Sequence, residues 1–456
     1  MRIRRSIESL TVGTSAAARQ DAWDPVLATY ALGVQLMKNL DEDTPTSWLW
    51  AANTHGMEES PPPRTTWGQC QHASVYFLPW HRAYLAWFEN TIRELTGDRE
   101  WALPYWDYFA DASSRRRVPA EFRVSTRTVD GESVPNPLFS PNRSARPVPN
   151  GNVELAPALS QPQYVRRMEY GFGGVEPDDY FGLAEQEPHN WVHVDVGGDV
   201  GEMRSPTTAG RDPIFWLHHA NIDRIWEMWR VLDGSVEYVQ SPIATTAMKS
   251  QWNSAEFWFG DEASPSTYSM ADVEDLTTPA MDYTYESIGL PDELADDVMA
   301  ERERIIAAEG GGRGLDEAPQ WTPVAASEDL PSGEDRKIVL AQGRGLDAAP
   351  PSRLMLELAS TKAHDPHAAY VVEVQAGAGA PVHTVGRFST FGLAGTPDGE
   401  TRNYLVDASS ALPALLAEGW DGGQLIVRVV PEPGRADSED DGKSIRIGQV
   451  TVYTQP

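Results

Sequence analysis

A single cysteine, Cys70, means that no intrachain disulfide can form, so the fold does not rely on an oxidising compartment. Basic residues are also scarce. The 37 Lys and Arg are outnumbered by 67 Asp and Glu, which leaves a formal net charge of −30. Such a surface repels phosphate backbones and anionic bilayers, so neither nucleic acid nor membrane is expected as a partner. No apolar run approaches the roughly 20 residues that a membrane-spanning helix needs. The start, Met1-Arg-Ile-Arg-Arg5, is basic but leads into Ser6, Glu8, Ser9 and Thr11 rather than an apolar segment. A signal peptide is therefore not expected, and the expectation is a cytoplasmic protein or one exported with a partner. Histidine is sparse too, at 10 in 456 residues, but it is placed unevenly.

Seven histidines fall at or before residue 219, namely His55, His72, His81, His189, His193, His218 and His219. His364, His367 and His383 lie far downstream in a segment of different character. A length of 456 residues with 41% hydrophobic content predicts two or three domains with real cores. The N-terminal part has helical spacing. Asp24-Pro25 is a helix start, and Val26, Leu27, Tyr30, Val34 and Met37 form one stripe. A second helix is predicted after Pro79, with Tyr84, Leu85, Phe88, Ile92 and Leu95 on its face. A third runs from about His219 through Ile222, Ile225, Trp226 and Trp229, and a shorter piece holds His189 to His193. Residues 111–180 are rich in Pro, Gly, Asn and Arg and read as loops. Residues 291–335 read as a linker, acidic at first with a short helix, then Gly-rich and Pro-bearing. Beyond 336 the pattern turns to strands, as in Leu354-Met-Leu-Glu-Leu358, Tyr370-Val-Val-Glu-Val374 and Leu425-Ile-Val-Arg-Val-Val430, which predicts a small β-sandwich over 336–456.

His189 and His193 are four apart, so on a helix they project from one face and can share a metal. A zinc protease would need Glu directly after the first histidine, and Asn190 stands there instead. In Phe215-Trp-Leu-His218-His219, where a strand-like run meets a helix, either histidine is a third ligand for the same ion. His55, His72 and His81 form a second triad. In one straight helix, residues nine apart turn through about 900° and face opposite ways, so the chain must break between His72 and His81. Pro79 is the residue expected to do so, as the start of the helix carrying His81. Imidazole suits copper, zinc, iron and nickel, and six neutral ligands with no thiolate pair suit copper cycling with dioxygen.

At this point the motifs resemble a known family. Cys70-Gln-His72, Pro79-Trp-His81-Arg82 and Asp212-Pro-Ile-Phe-Trp-Leu-His-His-Ala-Asn-Ile-Asp223-Arg224 resemble the two copper-binding regions of tyrosinases, catechol oxidases and molluscan hemocyanins. Ala51-Ala-Asn-Thr-His55-Gly56 is similar to the family's first ligand loop, and Tyr283-Thr-Tyr285 to the tyrosine motif that ends the catalytic domain of plant polyphenol oxidases. The resemblance implies a mainly α catalytic domain over 1–290, a four-helix bundle around a dicopper site, followed by a β-sandwich that shields that site. It implies that His55, His72 and His81 hold one copper, that His189, His193 and His219 hold the other, and that His218 is a supporting neighbour. It implies a thioether between Cys70 and His72. Glu185 and Asn190 resemble the pair that holds a water for phenol deprotonation, with Glu187 as the competing carboxylate. Val194 is an apolar wall. Pro206 stands where plant enzymes carry an aromatic gate, so an open entrance is expected. Asp223 is expected to lock an imidazole, or else to pair with an arginine at the surface.

The implied activity is oxidation of o-diphenols to o-quinones, with ortho-hydroxylation of monophenols, using two copper ions and dioxygen on a phenolic small molecule. An o-aminophenol oxidase and a hemocyanin-like oxygen carrier are the rivals. A copper-delivery or export partner is a further expectation.

Overall fold

The computed structural model describes residues 1–11, 23–57, 66–109, 113–177, 179–308, 321–328, 337–339, 350–363, 369–393, 401–422, 425–432 and 445–455, and the structural statements below concern these. His364, His367 and the glycine run at 310–312 lie outside them.

Helix α1 spans Pro25–Lys38, with Asp24 accepting from the Val26 N–H as its cap and Pro25 in the first turn. It buries Leu27, Tyr30, Ala31, Val34 and Met37. Gly33 lets it lie close on its neighbour, because a Cβ there would stand 2.5 Å from the Ile92 side chain. Helix α2 spans Trp48–His55 and starts on the Ser47 hydroxyl, which accepts from the Trp50 N–H. Helix α3, Phe77–Thr96, is almost wholly buried and stops at Gly97, whose φ of 75° is the left-handed conformation glycine tolerates best. A one-turn segment over Glu185–Asn190 leads into α4, Trp191–Gly197. Helix α5, Ile214–Arg230, packs against α3. Together α2, α3, α4 and α5 surround the histidines.

Two helix starts differ from the expectation. Helix α3 begins at Phe77, so Pro79 is its third residue rather than its first. The first turn needs no N–H from Pro79, so the proline is accommodated without making the break. The break between His72 and His81 comes earlier, at Ala73, with a φ of 50°. Helix α5 begins at Ile214, where the Asp212 carboxylate accepts from the Ile214 N–H. The run before His218 is therefore helical, and both histidines of the pair lie inside the helix.

Strand β1 (Arg2–Arg4) pairs in parallel with β2 (Tyr283–Tyr285), which brings the chain's start to the tyrosine motif. Helix α6, Asp292–Ala308, belongs to the expected linker but packs on the helical part. Its Arg302 is buried and donates to the carbonyls of Leu159, Gln161 and Asp233.

The C-terminal domain consists of two antiparallel sheets. Strands β3 (Thr322–Glu328), β5 (Arg353–Ala363), β8 (Arg402–Asp407) and β11 (Gln449–Gln455) are ordered β8–β5–β11–β3, with β10 (Ile445–Arg446) on β5. Strands β4 (Lys337–Val339), β6 (Ala369–Gln375), β7 (His383–Ser389) and β9 (Ile426–Pro431) are ordered β4–β9–β6–β7. The period-two residues face inward. Leu354, Leu356, Leu358, Val450 and Val452 of one sheet share a core with Tyr370, Val372, Val374, Val427 and Val429 of the other. Strand β3 falls within the stretch expected to be linker, so the sheet starts earlier than 336. Its short segment lacks a strong alternation of its own and is recruited by pairing with β11.

The two domains are docked. Phe181 and Ala73 join the C-terminal core, and Val175 and Tyr180 pack with Met355 and Leu405. The Tyr170 hydroxyl donates to the Leu405 carbonyl at 2.6 Å and accepts its N–H at 2.8 Å. Arg353 pairs with Glu169 at 2.7 Å.

Candidate metal centre

His55 is the last residue of α2, and its Nδ1 lies 2.8 Å from the Pro206 carbonyl. Gly56 makes this approach feasible, since a Cβ there would stand 2.6 Å from the same oxygen. His81, on the first turns of α3, turns its Nδ1 to the Phe77 carbonyl at 2.8 Å. His72 sits on the loop ahead of α3. Ligand atoms of His55, Cys70, His72 and His81 all lie within 4.8 Å of one another. His193 of α4 directs Nδ1 to the Met203 carbonyl at 2.9 Å, and His189 directs its own to Asn190 Oδ1 at 2.9 Å. His219 of α5 brings Nε2 to 3.3 Å from His193 Nε2. His189, His193, His218 and His219 form a second group within the same 4.8 Å limit. The groups abut, with His81 and His219 stacked at 4.3 Å and 8°.

An Nδ1 facing a carbonyl oxygen carries the hydrogen, which leaves the Nε2 lone pair aimed inward. Nε2 of His55, His189 and His218 and Nδ1 of His219 are buried without a hydrogen-bond partner. Such orphaned nitrogens require an explanation, and for Nε2 of His55 and His189 a bound cation supplies one. Burial is the main cause that pushes every one of these rings toward the neutral form. His55 falls to about 4, and His72, His81, His189, His193 and His219 fall well below their usual value, with neighbouring histidines adding repulsion. Neutral imidazole is the form that binds a metal. Two abutting sets of imidazoles, buried except for the half-buried His72 and with no carboxylate among the groups, fit a pair of copper ions better than harder cations.

Cys70 Sγ lies 3.3 Å from His72 Nδ1 and 3.5 Å from its Nε2, so it faces the carbon between them. It is also 3.4 Å from His81 Nε2. Both oxygens of the buried Glu185 carboxylate accept the Ala73 N–H, at 2.9 and 3.1 Å, which places them beside His72. Asn190 orients His189. Glu187 faces away from the histidines, 3.9 Å from Arg387, and is pushed up to about 7, first by burial. His218 stacks on His189 at 5.3 Å and 16°.

Pro206 is buried. The chain there passes beneath α2, and the backbone carbonyl of Pro206 orients His55. Asp223 locks no imidazole and is not at the surface. It is buried between Arg4 (3.0 Å) and Arg82 (2.5 Å) and accepts from the hydroxyls of Tyr283 and Tyr285. Helix α3 presents Arg82 to this face of α5, and β1 inserts Arg4 beside it, so the carboxylate is taken up by two guanidinium groups.

Sequence reasoning missed Phe391, from the turn after β7. Its ring stacks on His193 at 3.9 Å and 14° and meets His72 and His189 edge-on, each at 5.4 Å. With Trp191, Val194 and Ala369 it forms a small apolar cluster beside the histidines. Arg387 supports this docking. Its guanidinium lies 4.6 Å over Trp191 and donates to Asn152 at 2.7 Å. Phe77 and Phe215, which edge the histidines, carry apolar patterning but no sign of this role.

Residues 45–171 and 166–232 match the family model for the common central domain of tyrosinase. Residues 45–232 thus carry the common central domain of tyrosinase. A tyrosinase of Hahella sp. is 28% identical over 485 aligned positions, spanning 95% of this chain and 97% of that protein. The latent chloroplast polyphenol oxidase of Prunus armeniaca is 30% identical over 62% of this chain, but the match spans only 50% of that protein. The structure of latent apple tyrosinase shares the fold at a TM-score of 0.58 and 20% identity, covering all of this chain and 97% of the apple chain. The resemblance read from the histidine motifs, the helical-then-β layout and the assignment as an enzyme of this class are thereby borne out. Tyrosinases are copper-dependent, and the two histidine groups of this chain fit a dinuclear centre.

Proposed function

We propose that this tyrosinase-family chain oxidises o-diphenols to o-quinones with dioxygen and also hydroxylates monophenols ortho to the hydroxyl. The observation that carries the reading is the pair of abutting, neutral, buried histidine groups with ring nitrogens aimed inward. His55, His72 and His81 are assigned to one copper, and His189, His193 and His219 to the other. When bound, the metal pair supplies dioxygen binding and two-electron exchange with the phenol. Pro206, Phe77 and Met203 hold three rings by their carbonyls, and Asn190 holds a fourth. Glu185, fixed beside His72, is the base that takes the phenol's proton through a water it shares with Asn190. Val194 and Trp191 give the substrate ring an apolar wall. Cys70 is assigned a thioether to His72, which withholds that ring from free rotation.

In this reading the C-terminal domain shields the site, and Phe391 occupies the place a substrate ring would take against His193. Copper quantitation with oxygen uptake on catechol, tyrosine and o-aminophenol tests the function. Assaying both the natural chain and Phe391→Ala keeps shielding from being mistaken for inactivity. Two coppers per chain and uptake on catechol and tyrosine are expected. Uptake on catechol alone, after any lag, removes the hydroxylase half, and no uptake by either form refutes the proposal.

A further inference from the structure

Four imidazoles crowd the second group where three are assigned to the metal. The choice between His218 and His219, which are adjacent on α5, needs a physical cause. His218 Nδ1 lies 3.0 Å from the hydroxyl of Tyr108, a fully buried residue on the segment that runs along α5. That segment is tied down where the Trp106 N–H donates to the Leu217 carbonyl. A neutral imidazole has one N–H and one lone pair, and a phenol has one proton to give. Burial holds the Tyr108 phenol well above its ordinary value, so the proton stays on oxygen. The hydrogen bond of that hydroxyl is to His218 Nδ1, so the Tyr108 proton points there. His218 then carries its hydrogen on Nε2 and has no lone pair left for a metal. Its ring lies nearly parallel to His189 and edge-on to His193, at 4.8 Å and 85°.

We propose that Tyr108 is a positioning residue that fixes the tautomer of His218, withholds it from the metal, and sets it as the flat support behind His189. Selection of His219 as the ligand is then imposed by Tyr108, through its hydrogen bond to His218. This rests on the dicopper reading, but one readout does not need copper.

In metal-free protein carrying 15N-histidine, the natural chain should show His218 protonated on Nε2 and accepting at Nδ1. Tyr108→Phe should lose that assignment. Cupric ion titrated into Tyr108→Phe should bind its second equivalent about tenfold or more weakly, the usual effect of removing a group that orients a ligand shell. Adding His218→Phe to Tyr108→Phe, which keeps a ring to stack but no nitrogen to compete, should bring that affinity back. Protonation of His218 on Nδ1 in the natural chain overturns the proposal. So does unchanged copper affinity in Tyr108→Phe, or a double variant no better than the single. If the natural chain itself takes up no copper, the dicopper reading fails, and the nitrogen assignment still judges Tyr108.

Discussion

Replacing Phe391 with alanine removes, among the described residues, the one side chain of the C-terminal domain that stacks on a histidine of the candidate centre. Phe391 is 1% exposed. Burying a phenylalanine side chain is worth about 1.5–3 kcal/mol. Its stacked contact with His193 adds about 0.5–1.5 kcal/mol. The closed arrangement therefore draws about 2–4 kcal/mol from this ring. At 1.4 kcal/mol per factor of ten, its loss raises the open population roughly 30- to 1000-fold until the open form dominates. Apparent kcat/KM follows the fraction of molecules able to admit substrate. The Phe391→Ala chain should therefore oxidise catechol with kcat/KM at least about 30-fold above the natural chain, and Phe391→Leu should fall between them. The assay is initial oxygen uptake at matched copper content. The result that would refute the reasoning is an unchanged kcat/KM in a variant whose copper content and domain docking match the natural chain.

Acid should destabilise the metal-free protein through its buried histidines. Their folded-state values lie below those of the unfolded chain, so their stability is present above the unfolded value and is lost as pH falls toward the folded one. For His55 the window runs from about 6.5 down to about 4 and is worth about 3 kcal/mol. Calorimetry of the apoprotein should show Tm falling across this window, and a flat profile would contradict the assignment. Asp223→Asn leaves Arg4 and Arg82 buried without their carboxylate and should cost about 3–5 kcal/mol in urea unfolding. A cost under about 1 kcal/mol, the range of an exposed pair, would mean the network is not buried in solution. The Cys70–His72 thioether should make the denatured chain two hydrogens lighter than its sequence mass, whereas a Cys70 that alkylates freely would rule the bond out.

Much of the centre was legible because metal ligation and helix geometry act over short spacings. The four-residue step from His189 to His193 and the Asp24-Pro25 cap follow from local geometry alone, and the period-two strands around residues 354 and 370 do so too. The start of α3 was misplaced by two residues because proline is tolerated anywhere in a first turn, so Pro79 marks the turn and not its first residue. The start of α5 was missed because Pro213 to Leu217 is apolar throughout, and a buried helical run and a buried strand look alike over so short a length.

What the sequence by itself determined was the donor set, the helices that carry it and the period of the strands. Each depends on residues close together in the chain. Tertiary structure alone decided that Pro206 orients His55, that Asp223 serves two arginines rather than an imidazole, that β3 joins the sheet, and that Phe391 stacks on His193 from a second domain. These are contacts between residues tens to hundreds of positions apart. They depend on which buried faces dock together, and the residues flanking each partner carry no mark of the other.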